Sequence, residues 1–208
     1  MHPRAEEFAR RAADDHGFDV DVHEFPEGTK TAADAAAAVG CSVAQIASGI
    51  VLSADDDLVV SITSGANRVD ESTLADLVGA GSATMADADD IKATLGWAIG
   101  GVPPFCHEAD VPVFMDETLT GHEEVWAAAG TPEAVFPIAP DRLRELSGAT
   151  VADVATTPPV STTSPGTGSK TNCRGTASRR RSGGRTTRSP RARSSRSPSR
   201  KTVASRST

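Results

Sequence analysis

The sequence has 208 residues and a formal net charge of −7, but its acidic and basic residues lie in different parts of the chain. All 28 acidic residues lie at or before Asp153, and 13 of the 21 basic residues lie within residues 156–208. Residues 1–155 therefore carry a net charge of −20, and residues 156–208 carry +13. No run of about 18 apolar residues is present, which excludes a membrane-spanning helix, and the first residues lack the pattern of a secretory signal.

The acidic part of the chain predicts a cytoplasmic protein adapted to salt. Acidic side chains far outnumber Lys, Ala is abundant and Tyr is absent, and such a surface repels itself less where the Debye length is short. We interpret this composition as that of a halophile's protein; the alternative is an ordinary acidic cytosolic domain. The widely spaced Cys41, Cys106 and Cys173 predict neither a disulfide framework nor a zinc ribbon.

Residues 156–208 are predicted to be a disordered basic tail. Ser, Thr, Arg, Pro and Gly dominate this segment, which cannot build an apolar core. The run Arg179–Arg181 and the Arg/Ser repeats up to Arg206 favour an arm that binds nucleic acid. The alternative is a frameshift artefact, since GC-rich DNA translated in a shifted frame gives the same composition. The change of composition predicts two parts, a folded domain over residues 1–155 and the tail over residues 156–208.

Apolar periodicity and capping residues predict the elements of the folded domain in chain order. The first are a helix, a strand, two more helices and the two strands of a hairpin, over His2–His16, Phe18–Phe25, Ala32–Val39, Val43–Ala47, Gly49–Ser53 and Leu58–Thr63. A helix, a strand and another helix follow, over Asp70–Val78, Ala83–Met85 and Ala88–Leu95.

After a stretch rich in Gly and Pro, three strands and a helix are predicted over Val111–Met115, Glu123–Ala128, Ala134–Pro137 and Asp141–Leu146, and Val151–Val154 is a last apolar patch. Short strands and helices intermix without a regular βαβ rhythm. The order therefore favours an α+β fold with a mixed sheet or partial barrel over a doubly wound sheet.

Four groups of motifs occur in a characteristic order: Lys30–Ala36 with Gln45-Ile46, Gly65–Asp70, Ile99–Pro104 with Val113–Asp116, and Ala128–Gly130 with Phe136–Ile138. In this order they resemble the YbaK/prolyl-tRNA editing domain family of aminoacyl-tRNA deacylases, over about Glu6 to Ala155. The resemblance implies a mixed α/β fold with a curved, barrel-like sheet and flanking helices. It implies hydrolysis of the ester that joins a wrong amino acid to the 3′ end of a tRNA.

The resemblance also implies partners and site residues. The expected partners are aminoacyl-tRNA and a prolyl-tRNA synthetase, with no metal or organic cofactor and no sequence-specific DNA recognition. Gly100 and Gly101 suit an ester site, because a backbone without Cβ can turn its N–H groups towards a substrate carbonyl; the alternative is a tight turn. Pro103 stiffens this loop beside the substrate. Asp116 would lie near the substrate ribose, or else cap the helix that follows.

Ser48 is a departure from the family's pattern. Members usually carry a lysine two residues after the equivalent of Ile46, and this lysine lies in the substrate pocket. Ser48 brings a hydroxyl group but no charge. The alternative function is therefore a catalytically weak or silent module that binds tRNA or an aminoacyl group. Lys30 is the nearest basic residue in the sequence, with a solvated charge before a helix as its alternative.

Three further groups of residues are open to more than one interpretation. Arg68, in a Gly-Ala-Asn-Arg loop, is predicted to contact a phosphate, or else to pair with a nearby aspartate. Cys106 and His107 could suggest a cysteine hydrolase or a metal site with His122 or Asp116, but a buried thiol and a surface histidine are favoured; the family pattern predicts glycine at position 106. The two tryptophans pack in the core or line the pocket, with core packing favoured for Trp126.

Overall fold

The computed structural model of the protein describes residues 1–25 and 31–156, all within one compact unit, Met1–Thr162. Five helices accompany the strands, and two 3₁₀ turns cover Val43–Gln45 and Glu117–Gly121. The helices are α1 (Pro3–His16), α2 (Ala32–Val39), α3 (Glu71–Val78), α4 (Ala88–Leu95) and α5 (Pro140–Ser147). Lys30 and the predicted tail after residue 156 lie outside the described residues, so the disorder of the tail and the boundary at residue 155 stay predictions.

The strands are β1 (His23–Glu24), β2 (Ile46–Ala54), β3 (Asp57–Ser64), β4 (Arg68–Val69), β5 (Ala83–Met85), β6 (Val113–Asp116), β7 (Val125–Ala128), β8 (Ala134–Ile138), β9 (Thr150–Ala152) and β10 (Ala155–Thr156). The main sheet has the order β1-β8-β7-β2-β3-β6-β9, and β5 also pairs with β2. The β2–β7, β3–β6 and β6–β9 pairs are parallel and the others are antiparallel. This mixed sheet with flanking helices confirms the predicted fold class.

Helix boundaries follow from the capping residues that the sequence provides. The Thr31 hydroxyl accepts a hydrogen bond from the Asp34 amide, and the Asp34 carboxylate accepts one from the Thr31 amide, a capping box that begins α2. The Asp70 carboxylate accepts from the Thr73 amide at the start of α3. All five helices of the described residues end before a glycine with a positive φ; α1 to α4 end at the predicted residues, and α5 extends one residue beyond the predicted Leu146.

Apolar side chains form a large core and two smaller clusters. In the large core, the Phe8 ring of α1 contacts Trp97, Phe105 and Phe136, with ring centroids 5.2–6.2 Å apart. A second cluster packs α3 on the sheet, with Leu74 fully buried. The third cluster joins Ala35 and Ala36 of α2 to Ile46 and is flanked by Trp126. Burial of these side chains is the main favourable term of folding.

Several predicted elements differ in extent. Only His23–Glu24 of the strand predicted over Phe18–Phe25 pairs with β8, because Phe18, Val20 and Val22 pack on the large core instead. The helix predicted over Val43–Ala47 is a 3₁₀ turn that ends at Gln45, where β2 begins. Leu77 of α3 is 45% exposed. Within the described residues, none of the helices has the length and apolarity needed to cross a bilayer.

Candidate active site

The candidate site lies at an interruption in the pairing of β2. Along one edge of this strand, β7 pairs with Ile46 and Ala47, and β5 pairs with Leu52–Ala54. No strand of the described residues pairs with that edge over residues 48–51. On the opposite edge, β3 pairs with β2 without a break from Ala47 to Ala54. The sheet is therefore continuous on one side of Ser48 and Gly49 and open on the other.

A cavity of about 350 Å³ lies against this open edge. Its lining comes from the start of α2, residues 46–51 of β2, Met85 and Ile91, the loop residues Ile99, Gly100 and Val102, and residues between 126 and 135. Among the described residues that line it, none carries a charged side chain, and the polar side chains are those of Thr31, Ser48 and Thr131. This volume and a mainly apolar wall with a few polar groups are typical of a small-molecule site.

Backbone contacts hold the loop that forms one wall of the cavity. A Cβ on Gly49 would lie 2.5 Å from the Val102 carbonyl oxygen. A Cβ on Gly101 would lie 2.5–2.7 Å from the backbone atoms of Thr131. Both separations are shorter than a carbon atom tolerates, so glycine is required at both positions. The loop is therefore packed against β2 on one side and against residue 131 on the other.

The structure separates the two glycines that were predicted for the ester site. Gly100 lines the cavity and adopts a φ of +83°, a left-handed conformation that favours glycine. Gly101 is buried outside the cavity lining, and its N–H donates to the Ala98 carbonyl at 3.1 Å. This contradicts the expectation that both amides turn towards the substrate, because the Gly101 amide already serves a turn. Gly100 remains as the candidate of the pair.

Ser48 lies in the interrupted part of β2, opposite Thr63 of β3, and lines the cavity. Its side chain is half-buried, and its hydroxyl has no hydrogen-bond partner among the described residues. The structure therefore brings Ser48 and Gly100 to the same cavity. Thr31 lines this cavity too, and it directly follows Lys30, which lies outside the described residues.

Asp116 is fully buried at the end of β6 and does not line the cavity. Its carboxylate accepts four hydrogen bonds, from the Ser64 amide (3.1 Å), the Asn67 side chain (2.9 Å), and the Thr118 amide (2.9 Å) and hydroxyl (2.7 Å). The bonds from Thr118 are those of a cap at the start of the 3₁₀ turn. The structure therefore does not bring Asp116 together with Ser48 and Gly100.

Two other predicted binding residues also lie outside the cavity lining. Arg68 is exposed on β4, and among the described residues it forms no ion pair with the aspartates considered for it. Pro103 is a buried residue of the loop, and its carbonyl accepts a hydrogen bond from His107 Nε2 at 2.8 Å. The hydrogen bond at Pro103 therefore stabilises the loop outside the cavity lining, and Arg68 belongs to a different surface.

The geometry around Cys106 disfavours a cysteine hydrolase. Burial raises the pKa of the Cys106 thiol to about 11, so the thiolate is scarce at neutral pH. His107 bonds to Pro103 rather than to Cys106, and burial lowers the pKa of His107. Cys106 adopts a φ of +65°, which explains why glycine is expected there. The described residues hold no group of three or more side chains suited to binding a metal ion.

The two tryptophans lie in different surroundings. Trp97 is fully buried in the large core, and its Nε1 donates to the Cys106 carbonyl at 2.9 Å. Trp126 is half-buried: it packs against the third cluster, as favoured for it, but it also lines the cavity and contacts the His23 ring edge-on. Gly49 was also missed as a site residue, although a glycine inside an apolar strand often signals a close backbone approach.

The family model described as the aminoacyl-tRNA editing domain matches residues 26–146, more than half of the sequence. The chain belongs to this family. An uncharacterized protein of Bacillus subtilis (strain 168), YwhH, is 29% identical over 128 residues, which cover 61% of this chain and 81% of YwhH.

Solved structures agree with the family membership. The crystal structure of a candidate trans-editing enzyme for prolyl-tRNA synthetase is 39% identical and superposes with a TM-score of 0.69, covering 75% of this chain and 99% of that one. The hypothetical protein APE2540 shares the fold at 24% identity, with a TM-score of 0.65 over 72% of this chain and 99% of its own. The match covers 99% of each of these two structures, so the likeness extends over a whole domain.

Proposed function

We propose that this editing-domain protein hydrolyses the ester bond of mischarged aminoacyl-tRNA, acting in trans in the proline system. The observation that carries the proposal is the uncharged cavity at the open edge of β2, with Ser48 and Gly100 in its wall. A cavity of about 350 Å³ accommodates a small aminoacyl group with an uncharged side chain. The expected partners are aminoacyl-tRNA and a prolyl-tRNA synthetase, and the expected compartment is the cytoplasm.

The chemistry required of the site is modest. An aminoacyl ester is already activated, so the protein must mainly position a water molecule and stabilise the oxyanion. In the proposal, the Gly100 amide donates to the oxyanion and the Ser48 hydroxyl orients the ester or the water. Lys30, next to Thr31 in the sequence, contacts a phosphate near the ester, and Arg68 contacts the tRNA backbone farther away.

A second candidate function is binding without hydrolysis. Ser48 supplies no charge where members of the family usually carry lysine. The described residues that line the cavity include no basic side chain. A site of this kind holds an aminoacyl group but stabilises a developing negative charge weakly. The protein would then act as a recognition module for mischarged tRNA.

The deciding experiment follows the release of amino acid from tRNAs mischarged with Ala, Cys or Ser. The full-length protein is used in excess over tRNA and in high KCl. We expect release faster than the uncatalysed reaction for at least one of the three. Absence of release from all three contradicts the deacylase proposal, and retention of the intact mischarged tRNA on filters then supports the binding function.

Substitution of Ser48 tests whether the missing charge limits the rate. We expect Ser48→Lys to raise the single-turnover rate about tenfold or more, because a lysine ammonium adds a charge-assisted hydrogen bond at the ester. The matched control is Ser53→Lys, on the same strand but outside the cavity lining, which should leave the rate unchanged. An equal response of both variants would contradict a role for position 48.

A further inference from the structure

We propose that the aminoacyl group binds the open edge of β2 as a strand of one residue, by exchanging two hydrogen bonds with the backbone of Gly49. This inference rests on the proposed function, since it describes how the substrate of that reaction is held. Gly49 lines the cavity and is half-buried in the middle of the interrupted stretch. Its role comes from its backbone groups and from the absence of a side chain.

The direction of the Gly49 backbone follows from its neighbours in the sheet. The N–H and C=O of one strand residue point to the same edge, and successive residues point to opposite edges. The carbonyl of Ile46 accepts from the Gly65 amide at 2.7 Å, on the β3 side. The carbonyl of Val51 accepts from the Ala86 amide at 3.1 Å, on the β5 side. Gly49 alternates with Val51, so its N–H and C=O point away from β3 and towards the open edge.

The pairing of β2 with β3 indicates the same direction for the Gly49 N–H and C=O groups. Val60 lies opposite Val51, and its amide donates to the Pro112 carbonyl at 2.9 Å, on the far side of β3. Val60 and the residues that alternate with it along β3 therefore point their backbone N–H and C=O groups away from β2. Gly49 lies opposite Ile62, which belongs to the same set. The two strands are bonded through Ser48 and Ile50 and leave Gly49 free for another partner.

Among the described residues, the Gly49 N–H and C=O have no hydrogen-bond partner. The pairing with β7 ends at Ala47, and the pairing with β5 begins at Leu52. Backbone groups inside a protein are nearly always paired, so a donor and an acceptor facing a cavity mark a place for a complementary ligand. The Val102 carbonyl oxygen occupies the position that a Cβ on residue 49 would need. Gly49 therefore has no side chain that could shield its N–H and C=O groups from the cavity.

An aminoacyl ester has the complementary groups at the right spacing. Its α-ammonium donates, its ester carbonyl accepts, and one Cα joins them as in a peptide residue. Two residues of a hydrogen-bonded antiparallel pair exchange both an N–H and a C=O bond. The Gly49 carbonyl would therefore accept from the ammonium and the Gly49 amide would donate to the ester carbonyl, a minimal form of strand addition. The described lining holds no carboxylate that could bind the ammonium instead.

The test uses the full-length protein labelled with ¹⁵N-glycine and a probe that cannot be hydrolysed, 3′-alanylamino-3′-deoxyadenosine. We expect the Gly49 amide proton to move downfield on binding and to exchange more slowly with solvent. Gly40 and Gly121, which lie outside the cavity lining, are internal controls and should not respond. The matched probe 3′-propionylamino-3′-deoxyadenosine lacks the ammonium and should bind about tenfold more weakly, since a hydrogen bond to a charged group is lost.

The outcomes separate this inference from the proposed function. A response of Gly100 without a response of Gly49 overturns the inference and places the aminoacyl group on the loop, while hydrolysis of mischarged tRNA still supports the deacylase. Equal affinity for the two probes overturns the ammonium contact. Failure of both probes to bind, together with no hydrolysis, overturns the proposed function and the inference with it.

Discussion

Asp116 is a fully buried carboxylate that accepts four hydrogen bonds and, among the described residues, forms no ion pair. We expect Asp116→Asn to lower the free energy of unfolding by about 1–3 kcal/mol, because the new NH₂ group faces donors and leaves them unsatisfied. Urea denaturation measures the change, with the exposed Asp110→Asn as the control. Loss of deacylation without loss of stability would support the ribose contact predicted from the resemblance instead.

His107 gives the stability of the domain a dependence on pH. Burial holds the pKa of His107 below its usual value of 6.5, so the unfolded chain takes up the proton more readily than the folded one. The contribution of this residue is complete above about pH 6.5 and is lost as the pH falls through the lowered pKa. We expect His107→Gln, which does not titrate and can still donate to Pro103, to lose less stability than the wild type between pH 7.5 and 5.

Urea denaturation at several pH values measures this difference, with His122→Gln as the control substitution of a second histidine. The control should keep the wild-type slope of unfolding free energy against pH. If His107→Gln and the wild type have parallel slopes, His107 is not the group that carries the effect.

At the scale of elements, the loop over residues 99–104 depends on its fit against Thr131. We expect Gly101→Ala to destabilise the domain by about 1–3 kcal/mol, because the added Cβ meets backbone atoms that cannot rotate away. The displaced loop should also slow ester hydrolysis. Melting temperature and single-turnover rate are measured together, and Gly121→Ala, with no atom within 4 Å of its added Cβ, is the control. Identical behaviour of the two variants would show that the loop tolerates displacement.

Helices were predictable from the sequence because single capping residues determine where each helix begins and ends. Thr31 and Gly40 bound α2 at the predicted positions, since a capping box and a left-handed glycine act locally. The strand predicted over Phe18–Phe25 depended on a partner instead. Its alternation packs the half-buried Phe18, Val20 and Val22 against the large core, but only its last part meets β8.

The site was predictable in part. The Ile99–Pro104 motif pointed to the loop that forms one wall, and Ser48 was expected in the pocket and lines the cavity. Gly49 could not be recognised as a donor, because its exposure depends on where β7 leaves β2, which is a property of the whole sheet. The different surroundings of Trp97 and Trp126 could not be predicted either, since the sequence around each of them fits both the core and a cavity wall.

At the scale of the whole molecule, the charge of −20 over residues 1–155 should make stability depend on salt. We expect the melting temperature to rise between 0.1 and 1 M KCl, as the Debye length falls from about 10 Å to about 3 Å and screens the repulsion. The exposed ion pairs, such as Arg10 with Asp14, weaken at the same time, but each contributes at most about 1 kcal/mol.

The matched variant carries Asp56→Lys and Glu123→Lys, both at exposed positions. We expect it to be more stable than the wild type at low salt and to gain less from KCl, since its repulsion is smaller. Greater stability of the wild type at 0.1 M than at 1 M KCl would contradict the salt-adapted interpretation.

The end of the described chain is tied into the domain by a short strand. Val154 is fully buried, its carbonyl accepts from the Asp70 amide at 2.8 Å, and β10 then pairs with β4. A ribosome that stopped after Thr156 would still have delivered every core side chain of the described domain, whereas one that stopped before Val154 would leave the second cluster uncovered. Natural selection for folding of this domain therefore acts on the gene at least as far as that strand.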